Sequence, residues 1–345
     1  MTRRECLLAG GALLGVAAAQ RPSTKMGVEL GCIGANKWTP YQFLDYFKKV
    51  GISAPQFSAA TLGVKPGDID EAELRKVRAY AENLGITLRA YSGRSICPTS
   101  SGFDARSGTA EQQIARDLRI ARIIGASCMR VVLGSFKERP EIGRHLESMI
   151  HVIKNVRPQV HDAGVKLAIE NHNADLQARE INTLIEEVGF DVMGVNIDSG
   201  NPLAIMEDPH LTLEILGPYV LTIHVRDSAV WRVPEGVAMR WVNMGEGNVD
   251  IDGWVKKFVK MHPDLPVSFE NLPTAQPRII PIFTPDALQY FPKMPAGDLA
   301  RYLALAERGK PLPPAAPVAG KNRGDQQRED LEVCLRYTRK LLDSM

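Results

Sequence analysis

The sequence predicts an α/β protein: a single-domain (β/α)8 TIM barrel with a Pro-rich insertion after its eighth strand. Three observations carry that prediction. Short apolar runs alternate with amphipathic ones through most of the 345 residues, the pattern of parallel strands joined by crossover helices. Eight such strands in a chain of this length close most simply into a barrel, with an open doubly wound sheet as the alternative. The last four apolar runs each carry a carboxylate or an imidazole near their C-terminal ends, and that end of a barrel is the catalytic face.

The elements follow in order. "MGVELGCIG" reads as strand one, and "GCIGAN" after it lacks the GxGxxG spacing of a dinucleotide turn. "TPYQFLDYFKKVG" has helical spacing, with Thr39 as the cap and Gly51 as the stop. "SAPQFSAA" is a poorer strand because Pro55 lacks a donor. "DIDEAELRKVRAYAENLG" is a helix with acids in its first turn. "ITLRAYSG" is strand three, "TAEQQIARDLRIARIIGA" a helix and "SCMRVVLGS" strand four. A long helical segment runs from Glu138 to Ala163. "VKLAIENH", "VMGVNIDSG", "VLTIHVRDS" and "LPVSFEN" are strands five to eight. Helices "LQAREINTLIEEVG" and "DPHLTLEILG", then a loop and "DIDGWVKKFVKMH", lie between them. The insertion spans 272–320, and the chain closes with helix "GDQQREDLEVCLRYTRKLLDSM".

Composition narrows the function. Hydrophobic residues make up 44% and charged ones 24%, ordinary for a globular chain. A formal net charge of +2 gives no electrostatic basis for a nucleic acid or anionic membrane partner. "MTRRECLLAGGALLGVAAAQ" pairs Arg3 and Arg4 with an apolar run closed by Ala17, Ala18 and Ala19. This is the pattern of a twin-arginine export signal, so residues 1–24 are set apart and the barrel is assigned to 25–345. A buried N-terminal helix is the other reading of this segment. The mature protein is expected to be exported or periplasmic, with no membrane span. Twin-arginine export carries folded proteins and suits one that loads a metal before export. Cys32, Cys97, Cys128 and Cys334 remain after the signal, with no CxxC pair. Both disulfides and buried free thiols stay open. The sequence also leaves a homo-oligomer open.

Strand five ends in Glu170, strand six in Asp198, strand seven carries His224, and strand eight ends in Glu270. The strands are consecutive, so these side chains can converge. Three carboxylates beside one imidazole would repel one another without a cation. The oxygen-rich set favours Mn²⁺, followed by Mg²⁺ or Co²⁺, with Zn²⁺ also open. Four protein ligands leave two octahedral positions for adjacent sugar oxygens. Arg226 lies two residues beyond His224 and can face the pore, to pair with an acid or to contact substrate. Trp38, Arg94, Trp231 and Trp241 are candidate pocket residues on loops.

"LAIENH", "NIDSGN", "IHVRD" and "VSFEN" resemble the xylose isomerase-like barrel superfamily of sugar isomerases and epimerases, the AP-endonuclease-2-like family. "NMGEGNVDIDGW" is similar to the G-x-G-x-x-D stretch of that family. The resemblance covers roughly residues 26–271 and the last helix. It implies a divalent metal held by Glu170, Asp198, His224 and Glu270, a small sugar or keto-sugar substrate, and proton transfer next to a metal-bound carbonyl. The epimerases of the family commonly carry a second histidine three residues after the aspartate, where Asn201 stands here. They also carry an arginine beyond the strand-seven histidine, where Val230 stands. His172 lies two residues after Glu170, so on an extended strand both face the pore. That Glu-x-His arrangement resembles relatives that cleave 3-keto-glycosides by β-elimination. Glu170, His172 and Glu270 are therefore the expected proton-transfer residues. Isomerase or epimerase is the leading activity, with the lyase and a non-catalytic carbohydrate-binding barrel as alternatives. The DNA-repair branch needs more histidines than the 7 present.

Overall fold

The computed structural model describes residues 24–65, 67–284, 286–315 and 320–345. The expected export leader lies outside the described residues, apart from its last position.

Eight parallel strands form the barrel: β1 (Met26–Glu29), β2 (Ala54–Ser58), β3 (Ala90–Ser95), β4 (Cys128–Val132), β5 (Lys166–Glu170), β6 (Met193–Asp198), β7 (Val220–His224) and β10 (Val267–Phe269). Each neighbours the next, and β10 pairs with β1. The last seam closes just past β7. Val225 N donates to the Ser268 carbonyl at 2.7 Å, and Glu270 N donates back to the Val225 carbonyl at 3.1 Å. Around the barrel run α1 (Pro40–Val50), α2 (Glu71–Asn83), α3 (Ala110–Ile124), α4 (Ile142–Ala163), α5 (Ala178–Val188), α6 (Pro209–Leu216) and α7 (Ile251–Met261). Helix α9 (Arg323–Asp343) takes the eighth place, and its Gln327 accepts from Ala35 N at 3.0 Å.

Local chemistry sets these boundaries. Thr39 caps α1 in a reciprocal box with Gln42, and Gly51 ends the helix at φ +75°, a left-handed conformation that costs glycine little. Thr109 and Gln112 repeat the box at α3. Strand β5 buries Leu167 and Ile169 in the main core, while Ala168 and Glu170 take the other face. Inside the barrel Ala90, Cys128 and Ala168, closed by Leu221, make a small apolar floor. Ser92, Arg130 and Glu170 stand two residues further along the same strands and so rise above that floor.

Four elements differ from the sequence reading. Strand one stops at Glu29 and a 3₁₀ segment covers Leu30–Asn36. "VLTIHVRDS" splits: β7 ends at His224, and Asp227 opens a hairpin, β8 (Asp227–Val233) and β9 (Gly236–Val242), where a loop was expected. Trp231 and Trp241 therefore sit on strands. The insertion is not all irregular. Its β11 (Arg278–Ile280) pairs antiparallel with β9, and α8 (Ala296–Glu307) buries Tyr302, Leu305 and Ala306. All four cysteines among the described residues are buried free thiols. Among the described residues no helix is long and apolar enough to cross a membrane.

Candidate metal centre

Glu170, Asp198, His224 and Glu270 converge, their potential ligand atoms all within 4.8 Å of one another. Three of the four are fully buried. Asn171 extends the β5–β6 ladder past its end by its side chain. Its Nδ2 donates to the Asp198 carbonyl at 2.9 Å and its Oδ1 accepts from Asp198 N at 2.8 Å. That fixes Asp198 relative to Glu170. His224 Nδ1 faces Glu170 Oε1 at 3.4 Å and Glu270 Oε2 at 3.3 Å. Asn201 donates to Glu170 Oε1 at 3.3 Å from the position where the epimerases carry histidine.

The other half of the barrel completes the ring, which was not foreseen. Glu29, Gln56, Ser92 and Arg130 come from β1 to β4. Arg130 Nε donates to Glu170 Oε2. A signal was present: Gln56 in "APQFS" and Arg130 in "CMRVV" each break an otherwise apolar run, and a polar side chain in a buried strand needs a partner.

The three carboxylates do not stand without nearby cations, as the sequence alone suggests they do. In the structure Arg130 pairs with Glu170, and Arg226 bridges Asp198 and Glu270. Arg226 Nε lies 2.9 Å from Asp198 Oδ2, and its guanidinium stacks on Trp241 at 4.3 Å. Asp198 Oδ1 accepts from Gly200 N and Asn201 N, both at 2.7 Å. A side chain at Gly200 would strike Arg226, its Cβ falling 2.5 Å from Cγ and Cδ. Arg226 is thus built into the acid cluster rather than free at the rim. Burial alone would raise the Glu170 carboxyl, but Arg130 and then His224 outweigh it and hold it well below the usual range. Asp198 goes the other way, raised by burial against the pull of Arg226. Two guanidiniums offset two of three carboxylates, so charge repulsion by itself does not demand a metal. The donor set does suit one: three carboxylates and an imidazole nitrogen at ligand spacing fit a hard or borderline divalent cation.

His172 lies just beyond β5, in a turn where Asn173 and Ala174 adopt φ +38° and +67°. Non-glycine residues rarely hold such angles, and they do so mainly where surrounding contacts enforce them. Asp175 supplies those contacts. Its Oδ1 accepts from His172 N at 2.9 Å and its Oδ2 from Gly134 N at 3.1 Å. The Gly134 carbonyl lies 2.9 Å from His172 Nδ1. A carbonyl can only accept, so Nδ1 carries the hydrogen and Nε2 keeps its lone pair. Burial lowers the His172 pKa, with Glu170 as the chief opposing influence.

The expected pocket residues make other contacts. Trp38 packs edge-on against Phe43 and Tyr46 of α1, with Arg328 of α9 over its ring at 5.3 Å. Arg94 is exposed: the ladder is irregular between Ser92 and Ser95, which breaks the inward alternation, and its charge acts on Tyr91 and Asp117 instead. Trp231 packs with Ala229, Ala238 and Val242. The "NMGEGNVD" stretch wraps the Asp227 carboxylate, whose Oδ2 accepts from Gly245 N and Gly247 N, both at 2.9 Å.

The comparisons with known proteins agree with this fold. A curated relative, 3-oxo-isoapionate decarboxylase of Pectobacterium atrosepticum, is 23% identical over 186 residues, 53% of this chain and 61% of the relative. This chain therefore matches about six-tenths of that relative's length. The crystal structure of D-psicose 3-epimerase from Clostridium cellulolyticum H10 superposes with a TM-score of 0.61 at 14% identity, covering 92% of this chain and 99% of the epimerase. The zinc-containing IolI structure superposes at 0.56 and 15% identity, covering 81% and 99%. At these identities the superpositions show the fold. A family profile described as xylose isomerase-like TIM barrel matches residues 44–278, more than half of the chain. With eight parallel strands, a cluster able to hold a divalent metal at their C-terminal ends, and that match, the chain belongs to the xylose isomerase-like TIM barrel family.

Proposed function

We propose that this protein is a metal-dependent isomerase or epimerase of a sugar or keto-sugar, working by proton abstraction next to a carbonyl. The observation that carries this is the convergence of Glu170, Asp198, His224 and Glu270 within 4.8 Å, beside a histidine whose free nitrogen is set by its backbone bond. Those four residues would hold the ion. Mn²⁺ suits the oxygen-rich set best, with Mg²⁺, Co²⁺ or Zn²⁺ as alternatives, and when bound it would polarise a substrate carbonyl and acidify the adjacent C–H.

The chain's own residues do the rest. His172 is neutral near pH 7 and takes the proton at Nε2. Gly134 and Asp175 keep its ring and backbone in place. Glu270 is the carboxylate assigned to return a proton, which it first takes up from solvent, while Glu170, held ionised by Arg130, serves as a ligand. Arg226 is assigned to holding the two acids rather than to contacting substrate, as the buried bridge supports. The N-terminal arginine pair and apolar run support export as part of the same reading.

A second reading shares the first step. Where the substrate bears a leaving group on the carbon β to the carbonyl, the electron pair from the broken C–H bond expels it, as in β-elimination from a 3-keto-glycoside. Asn201 and Val230, at positions where the epimerases carry histidine and arginine, support it. That a relative bears the name 3-oxo-isoapionate decarboxylase supports the keto-sugar class. The Mn²⁺-loaded protein, offered free ketoses and 3-keto-glycosides in parallel, separates the two. Epimerised ketose supports the first reading, release of the aglycone supports the second, and turnover of neither class contradicts both.

A further inference from the structure

A cavity of about 280 Å³ lies between the loops after β4 and β6 and the segment that follows β10. Phe136 comes from the first loop, Ala204 and Met206 from the second, and Ile280, Tyr290 and Phe291 from the third. Phe136 meets Tyr290 edge-on at 6.2 Å and Phe291 at 6.5 Å. Met206 holds φ +60°, which a non-glycine residue keeps mainly where contacts enforce it, and its thioether adapts to irregular apolar surfaces. Asp286 is the one charged side chain of the lining, and it is exposed. The volume is just below that of whole small-molecule sites, which start at about 300 Å³. It has room for a ring system and not for a segment of protein. We propose that this cavity binds an aromatic ring, or an equally flat apolar group, carried as a substituent on the keto-sugar substrate.

The walls of the cavity are tied to the candidate centre. Phe136 N donates to the Asn173 carbonyl at 3.2 Å, one residue beyond His172. Gly134, two residues before Phe136, accepts from His172 Nδ1. On the opposite wall, Ala204 follows by three residues Asn201, which donates to Glu170. Arg139 joins the two: it donates to the Tyr290 carbonyl at 2.8 Å and to the Asp175 carbonyl at 3.0 Å, and stacks on Phe291 at 4.3 Å. Asp175 in turn holds the backbone of His172. The aromatic wall and the proposed base therefore share one support. The chain leaves this apolar surface unfilled. Phe136, Ile279, Phe283 and Leu288, all on these loops, are four of the seven exposed large apolar side chains among the described residues, and such clustering marks a binding surface. The hydroxyls of a free sugar would face this lining without partners, at a cost. A ring would bury its faces and meet Phe136 and Tyr290 edge-on.

The ring site stands on its own geometry, and only the keto-sugar that carries the ring rests on the proposed function. The test therefore has two arms, both on the full chain. In calorimetry, phenol alone should bind the wild type. Ala287→Trp fills the cavity from its lining and should weaken that binding by about 10-fold or more. Thr284→Trp, at an exposed lining position, replaces it if the first variant does not fold. In steady-state kinetics of the Mn²⁺-loaded protein, phenyl 3-keto-glucoside should have a KM about 10-fold or more below that of the methyl analogue, and the Trp variant should remove the difference. No binding of phenol to the wild type, or equal binding to a folded Trp variant, overturns the site. A Trp variant that changes oligomeric state in light scattering assigns the apolar patch to a second copy and also overturns it. Equal KM values for the two glucosides overturn the substituent and leave the proposed function standing. If phenol binds as stated but no keto-sugar is turned over, the ring site stands and the proposed function falls.

Discussion

At the scale of single residues, Glu170 and His172 are two positions apart, and the proposed function gives them different jobs. His172→Gln keeps a donor for the Gly134 carbonyl and removes the base. Metal content should stay at the wild-type level while turnover falls on the order of 10²- to 10⁴-fold; metal analysis beside steady-state rates checks it, and a near wild-type rate would move the proton to Glu170 or Glu270. Asp198→Ala and His224→Ala should instead lose metal and activity together. The barrel should stay folded in Asp198→Ala, because Arg226 keeps its pairing with Glu270. Full metal occupancy in both variants sinks the ligand assignment. The four candidate ligands are legible because each interrupts an apolar run at its end. Gln56 and Arg130 interrupt theirs too, but in mid-strand, where one polar residue reads as noise until its partner is seen. In the sequence Arg226 reads equally as a pore residue, pairing with an acid or contacting substrate, and as a solvated rim residue. Only the packing of Trp241 and Gly200 around it decides for the acids.

Among the elements, the N-terminus of α5 gives a pH-dependent test. Glu207 lies buried against it, accepting from Ala178 N at 3.0 Å and from Thr212 Oγ1 at 2.7 Å. Burial, the largest influence, raises its pKa to about 7. A raised carboxyl stabilises the fold fully below its unfolded value near 4.5, and that contribution is lost as the pH climbs through about 7. Urea unfolding should therefore show wild-type stability falling between pH 5 and 8, with Glu207 contributing on the order of 2 kcal/mol. Glu207→Gln should flatten that fall, and an unchanged slope would remove Glu207 as its source. Helices with clear caps, such as α1 and α3, were legible to within a residue or two. The β8–β9 hairpin was not, because the polar Arg226, Asp227 and Ser228 read as the end of strand seven rather than as the start of another strand. Helix α8 was masked by prolines on both sides, although Leu299, Tyr302, Leu303 and Ala306 keep helical spacing.

For the whole molecule, the eightfold alternation was enough to give the barrel, since parallel strands with crossovers leave few alternatives. The packing of the segment after strand eight was not legible, because it depends on contacts far apart in sequence. Arg139 is one such contact. It is fully buried, donating to the Asp175 carbonyl at 3.0 Å, to Glu180 at 2.6 Å and to the Tyr290 carbonyl at 2.8 Å, with Phe291 stacked at 4.3 Å. Arg139→Ala should cost roughly 3 kcal/mol and raise proteolytic nicking between residues 281 and 295. Nicking unchanged from wild type would show that the segment is held elsewhere. On the proposed function, this barrel removes a proton beside a carbonyl with the help of a divalent ion. Solvent deuterium incorporation reads that step: the Mn²⁺-loaded protein is incubated in D₂O with a keto-sugar, and label is followed at the carbon next to the carbonyl. Exchange should occur in the wild type, be abolished by chelator and fall in His172→Gln on the order of 10²-fold or more. Exchange that persists undiminished in chelator and in His172→Gln would contradict it.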